Sequence, residues 1–151
     1  MAERQFVLVV ISTLLFAAAQ AESVETEAGR TVNIKEFLQE NKKIRVYAAT
    51  DGGNLMCVTD DYSSVTDTEA LFTRHFRNGT QLLHYALRGV FESTQDQEAQ
   101  STKMSVYFSQ TDTGIRQLSE ERMLYFNLTE KCGVFNVTDY TEGYIYWYDV
   151  R

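Results

Sequence analysis

The chain has 151 residues, with 14 Lys and Arg against 21 Asp and Glu and a formal charge of −7 at pH 7. Its cationic residues do not cluster on any stretch, which argues against nucleic acid and anionic membrane surfaces as partners. Two histidines, no His/Cys/Asp set at metal-ligand spacing, no Gly-rich loop before a helix and no Gly-x-Ser-x-Gly argue against an enzyme, a cofactor or a metal centre.

Met1 to Gln5 is a short segment carrying Arg4, Phe6 to Ala18 is apolar apart from Ser12 and Thr13, and Ala19-Gln20-Ala21 is a small-x-small site. This pattern predicts a cleaved signal peptide over residues 1–21 and a secreted, extracellular mature chain, the apolar run being too short to span a bilayer comfortably. About 130 residues from Glu22 onward then make one domain, 22–151, with room for a core. Glu22 to Arg30 is acidic and predicted to be loose. A helix is predicted over Asn33–Lys42. Asn33 and Glu36 have capping-box spacing, Val32 and Phe37 occupy staple positions, and Ile34, Phe37 and Leu38 form one apolar stripe. Lys42 and Lys43 suit the negative helix end.

From Ile44 the pattern turns to β. Eight runs are predicted: Ile44–Ala49, Leu55–Asp60, Ala70–Arg77, Thr80–Phe91, Lys103–Ser109, Arg122–Thr129, Cys132–Thr138 and Tyr144–Val150. Asp51 to Asn54, Asn78-Gly79 and Glu130-Lys131 are the connecting turns, and Gln95 to Gln100 reads as a polar loop. Successive strands with short connections build an up-and-down barrel or an antiparallel sandwich.

Hairpin register assigns faces, because directly paired residues share one. A two-residue Asn78-Gly79 turn pairs Arg77 with Thr80 and puts Phe72, Phe76, Leu83, Tyr85 and Leu87 on one side, with Arg74 among them. His75 and His84 fall on the other side. The same rule around Glu130-Lys131 pairs Phe126 with Phe135 and Leu124 with Val137, and leaves Asn127 and Asn136 on a common outer face. Both are sequon asparagines, as is Asn78, and three sequons behind a signal peptide predict glycosylation. Thr59-Asp60-Asp61 and Glu120-Glu121 read as solvated acids.

The order of a capped helix, Cys57-Val58, Cys132-Gly133-Val134-Phe135 and the aromatic strand Gly143-Tyr144-Ile145-Tyr146-Trp147-Tyr148, all behind a secretory leader, resembles the tick salivary lipocalins, the histamine-binding family. The resemblance covers roughly Val32 to Val150. It implies an eight-stranded antiparallel lipocalin-like barrel with a short N-terminal helix. It also implies a monomeric binder that sequesters a small host mediator without chemistry, countering host inflammation and haemostasis. The implied ligand is histamine or another biogenic amine, or else a leukotriene or fatty acid. The alternative is a lipocalin that binds protein and blocks a host protease or complement component. Family cysteines bond to partners beyond the Trp-bearing strand, so a C-terminal segment after Arg151 is expected to be missing. Cys57 and Cys132 are then paired with each other, free, or parted from those partners; the last two are favoured because the second and seventh strands of a meander are not neighbours.

The resemblance makes Phe72, Phe76, Tyr85, Phe126, Phe135 and Trp147 candidates to line a cavity, the other reading being a filled core. Amine-binding members carry a carboxylate right after the second cysteine and a Glu-Leu-Trp-like segment. Here Gly133 and Ile145-Tyr146-Trp147 stand there, so the ring is kept as Trp147 and both carboxylates are absent. Asp149 has the alternation parity to replace them or is a solvated terminal acid. Arg74, a charge on the apolar face, needs a partner: a ligand carboxylate held bidentately, an internal acid such as Asp149, or water at the rim.

Overall fold

The computed structural model describes residues 32–50, 55–92, 101–110, 116–127, 129–141 and 143–151. The chain divides into two units, residues 1–30 and 31–151, and all described residues belong to the second. The predicted signal peptide, the predicted loose segment Glu22 to Arg30, the expected Asp51–Asn54 turn and Gln95–Gln100 loop, and Leu128 lie outside the described residues. Among the described residues no helix is long and apolar enough to cross a membrane.

The helix α1 covers Ile34–Glu40, shorter than the Asn33–Lys42 expected. Asn33 caps it, its side-chain oxygen accepting from the Lys35 and Glu36 amides at 3.1 and 3.4 Å. It stops at Asn41, whose φ of −119° and ψ of 86° leave the helical region while its side chain and backbone N–H both donate to the Phe37 carbonyl, at 2.8 and 3.1 Å. Lys42 and Lys43 therefore lie past its end, and Lys43 opens the first strand. The stripe of Ile34, Phe37 and Leu38 is buried, as the periodicity required.

Among the described residues nine strands follow, where eight were expected: β1 Lys43–Arg45, β2 Ala48–Ala49, β3 Leu55–Val65, β4 Glu69–Asn78, β5 Gln81–Phe91, β6 Lys103–Phe108, β7 Ser119–Asn127, β8 Cys132–Asp139 and β9 Ile145–Val150. They form one antiparallel sheet in the order β1-β3-β4-β5-β6-β7-β8-β9-β2. The first expected run divides because it serves two neighbours. Val46 N–H donates to Val58 of β3 at 3.0 Å, and Tyr47 N–H donates to Val150 of β9 at 2.7 Å. The edges β1 and β2 are separated by only two residues, a link that spans at most about 11 Å from Arg45 to Ala48. The sheet therefore curls, giving a barrel-like shape rather than two stacked sheets.

Two registers differ from expectation. In the β4–β5 hairpin Asn78 pairs with Gln81 and Arg77 with Leu82, so Gly79-Thr80 is the turn, with Gly79 at φ +58°. A shift of two positions keeps every face, and Phe72, Phe76 and Leu87 are buried while His84 is exposed. The β7–β8 pair is different. Phe126 faces Gly133, but Met123 faces Phe135, with a bulge between Met123 and Tyr125. That extra residue reverses the alternation below it. Leu124 is left 46% exposed, while Met123, Glu121 and Ser119 turn inward.

The end of the barrel under α1 is solid. Phe37 meets Phe135 with ring centroids 5.7 Å apart. Gly133 lies beside them, where an added Cβ would sit 3.1 Å from Phe135 Cε2 and 3.3 Å from the Tyr125 carbonyl. A side chain at 133 would press on Phe135 and the Tyr125 carbonyl, so glycine suits this tight contact.

Candidate ligand cavity

The inward face of β4 presents Phe72, Arg74 and Phe76 in alternation. Arg74 lies directly across from Asp60 on β3. Its Nε and Nη2 donate to the two Asp60 oxygens, both at 2.7 Å, and Nη2 also donates to Glu121 Oε1 at 2.9 Å. The other Glu121 oxygen accepts from Arg151 Nη1 at 2.5 Å, and Arg151 forks onto Asp149 at 3.0 and 3.2 Å. The result is an ion chain, Asp60–Arg74–Glu121–Arg151–Asp149, across four strands and the residue after the last. Aromatic faces flank it: Arg151 stands 4.5 Å over Phe135 and Arg74 5.5 Å from Phe72.

Expectation had both Asp60 and Glu121 in solvent. They are 1% and 0% exposed. The β7 bulge turned Glu121 inward, and the Asp60–Arg74 cross-strand pairing drew in Asp60. Burial pushes the Glu121 carboxyl up, but Arg151 and Arg74 outweigh it and hold it down to about 2. Burial disfavours the Arg74 charge too, yet Asp60 and Glu121 raise that guanidinium well above its ordinary range. Tyr62, stacked on Phe72 at 4.9 Å, is raised well above the usual phenol range by burial first and then by Asp60 and Glu121. Its hydroxyl is buried and has no hydrogen-bond partner among the described residues.

Toward the other end the barrel opens into a cavity of about 310 Å³ and an adjoining lobe of about 140 Å³. Val58, Arg74, Ser119 and Asp139 line both. Phe76, Tyr85 and Phe108 form an aromatic wall in the larger, with centroids 5.3 and 5.4 Å apart along the series. Trp147, Asp149 and Arg151 belong to the smaller. Asp139 continues the inward series Gly133, Phe135, Val137 along β8. Its hydrogen bonds among the described residues both fall on Oδ1, from the Thr141 N–H at 2.5 Å and the Thr141 hydroxyl at 2.6 Å.

The eight candidate binding residues therefore separate. Arg74, Phe76, Tyr85, Trp147 and Asp149 line the two lobes. Phe72, Phe126 and Phe135 are buried in the core and line neither. Asp149 is not a solvated terminal acid; it is 3% exposed and held by Arg151. Sequence reasoning missed Asp139, Phe108, Asp60, Glu121 and Arg151. For Asp60 and Asp139 the signal was present as strand parity: Asp60 precedes Tyr62 by two, and Asp139 follows Val137 by two.

Cys57 is exposed and Cys132 half-buried, and both are free thiols on β3 and β8. On the outer face His75 and His84 pair directly, with rings 5.9 Å apart and His75 Nε2 3.4 Å from Asp61. Among the described residues no group of three or more His, Cys, Asp and Glu is placed to hold a metal ion. No family model matches this chain, and no curated protein matches it either.

Proposed function

We propose that this chain is a secreted, lipocalin-like binder, akin to the tick salivary lipocalins, that sequesters a small cationic mediator such as a biogenic amine in its open lobe. Taken as one bent strand, β1 and β2 make the nine strands an eight-stranded up-and-down barrel, which supports the lipocalin reading. The larger lobe falls at the low end of the range for small-molecule sites.

The observation that carries the choice of ligand is the charge inventory. Arg74, the one cationic residue among the described residues that line the larger lobe, already makes three short bonds to Asp60 and Glu121. Asp139 meanwhile offers a carboxylate on the wall shared by both lobes. Asp60, Glu121, Asp149 and Asp139 together outnumber Arg74 and Arg151, so the lining and its backing carry formal negative charge. An ammonium entering there meets an acid and the faces of Phe76, Tyr85 and Phe108, whereas an anion meets repulsion. An anionic lipid, the other ligand class the resemblance allows, is disfavoured on these grounds.

Calorimetric titration of the secreted protein with histamine, serotonin and a leukotriene tests this. Amine binding tighter than about 1 μM, with the leukotriene weaker, is expected of a sequestering protein. Tighter binding of the leukotriene would reverse the ligand class. A second reading, binding of a host protein, is favoured by the exposed Tyr47, Tyr144 and Tyr146, since tyrosine is enriched in interfaces. Failure of every small ligand on folded protein would select it.

A further inference from the structure

The three sequon asparagines do not face the same way. Asn127 pairs with Cys132, and Asn136 pairs with Arg122 and Tyr148; all lie on the outer face of the sheet. Asn78 instead continues the inward alternation of Phe72, Arg74 and Phe76 to the last residue of β4. There it is exposed and lines the larger lobe with Leu83, Tyr85 and Phe108. Its sequon is completed at the hairpin tip by Gly79, at φ +58°, and the exposed Thr80.

We propose that Asn78 carries an N-linked glycan that gates the cavity mouth. This rests on the reading of the chain as a secreted cavity binder and adds to it a modification that controls access. A glycan joined to the Asn78 amide begins at the mouth itself, because the inward parity of position 78 aims its Cβ there. It is bulky and hydrated, and the first sugar lies beside the apolar faces of Tyr85 and Phe108. Glycans on Asn127 and Asn136 would start on the outside wall and leave the entrance untouched. A gate of this kind slows entry and exit together. It changes rates more than affinity, and it filters by size, passing a small amine more readily than a lipid.

The test uses the full chain expressed in a secretory eukaryotic host, with Thr80→Ala to abolish the sequon while keeping Asn78, and Thr80→Ser to preserve it. Peptide mass spectrometry reads occupancy at Asn78. Stopped-flow fluorescence with the neutral dye N-phenyl-1-naphthylamine reads entry and exit. Wild type and Thr80→Ser should carry sugar at Asn78, and Thr80→Ala should take up and release the dye about fivefold faster or more with little change in Kd. Equal rates despite occupied Asn78 would overturn the gate while leaving the cavity intact. An unmodified Asn78 in secreted wild-type protein would overturn it as well. Absence of dye binding in every form would overturn the cavity reading and the gate with it.

Discussion

The two ends of this barrel are built from the same strands and do opposite things. Beneath α1, Phe37, Phe135 and Gly133 pack so closely that an added Cβ at position 133 would sit 3.1 Å from the Phe135 ring. At the other end Phe76, Tyr85 and Phe108 pack against one another in series, as one wall of an open space of about 310 Å³. Between them lies the chain of five ionised side chains from Asp60 to Asp149. A layer of charges bonded to one another is costly to bury and keeps its geometry only while each partner is present. It therefore divides the interior: apolar side chains pack against one face of it, and the other face, fixed in geometry, becomes the floor of the cavity. A charge can be structural in one part of the barrel and available for ligand in another, and what separates the two cases is how many of its bonds the protein has already made.

That contrast can be broken most severely at Arg74. Arg74→Met leaves Asp60 and Glu121 buried with Arg151 as their remaining cation, and removing one partner of such a network typically costs about 3–5 kcal/mol. Urea denaturation should show a loss of that size; a loss below about 1 kcal/mol would mean that Arg74 is free to serve a ligand.

The next effect is in pH. Glu121 titrates near 2 in the folded protein and in the ordinary carboxylate range, about 4.3, when unfolded. As pH falls, the unfolded chain takes up this proton first. The stabilisation is therefore complete above about pH 4.3, is lost progressively from there to about 2, and is absent below. It amounts to about 3 kcal/mol at pH 7. Glu121→Gln should flatten the pH dependence of stability within that acid window while leaving it unaltered above. An unchanged acid limb in the variant would show that Glu121 is not the group holding the layer together.

Much of the fold was legible because it depends on parity and caps. Asn33 with the Ile34, Phe37, Leu38 stripe announced the helix, and the inward set of Phe72, Phe76 and Leu87 survived a wrong turn assignment because the error was two residues, which preserves face. The site was less legible because it depends on one-residue events. Nothing in Arg122-Met123-Leu124-Tyr125 marks a bulge, so Glu121 could not be seen turning inward. Without Glu121 and Asp60 inside, Arg74 looked like an unpaired charge awaiting a ligand. The division of the first strand was hidden for a related reason: Val46 bonds to β3 and Tyr47 to β9, and composition does not record which neighbour a strand serves.

The smallest effect on stability and the most direct test of the central claim come from Asp139→Asn. The amide keeps an oxygen for Thr141 and removes only the charge on the cavity wall. Titration of wild type and variant with histamine, alongside urea melts of both, compares the two ends of the barrel in a single pair of proteins. The predicted result is a loss of roughly 1.5–3 kcal/mol in amine binding with stability unchanged to within about 0.5 kcal/mol. Undiminished amine affinity in the variant would contradict the account, because the open end would then bind cations without the acid that distinguishes it from the closed one.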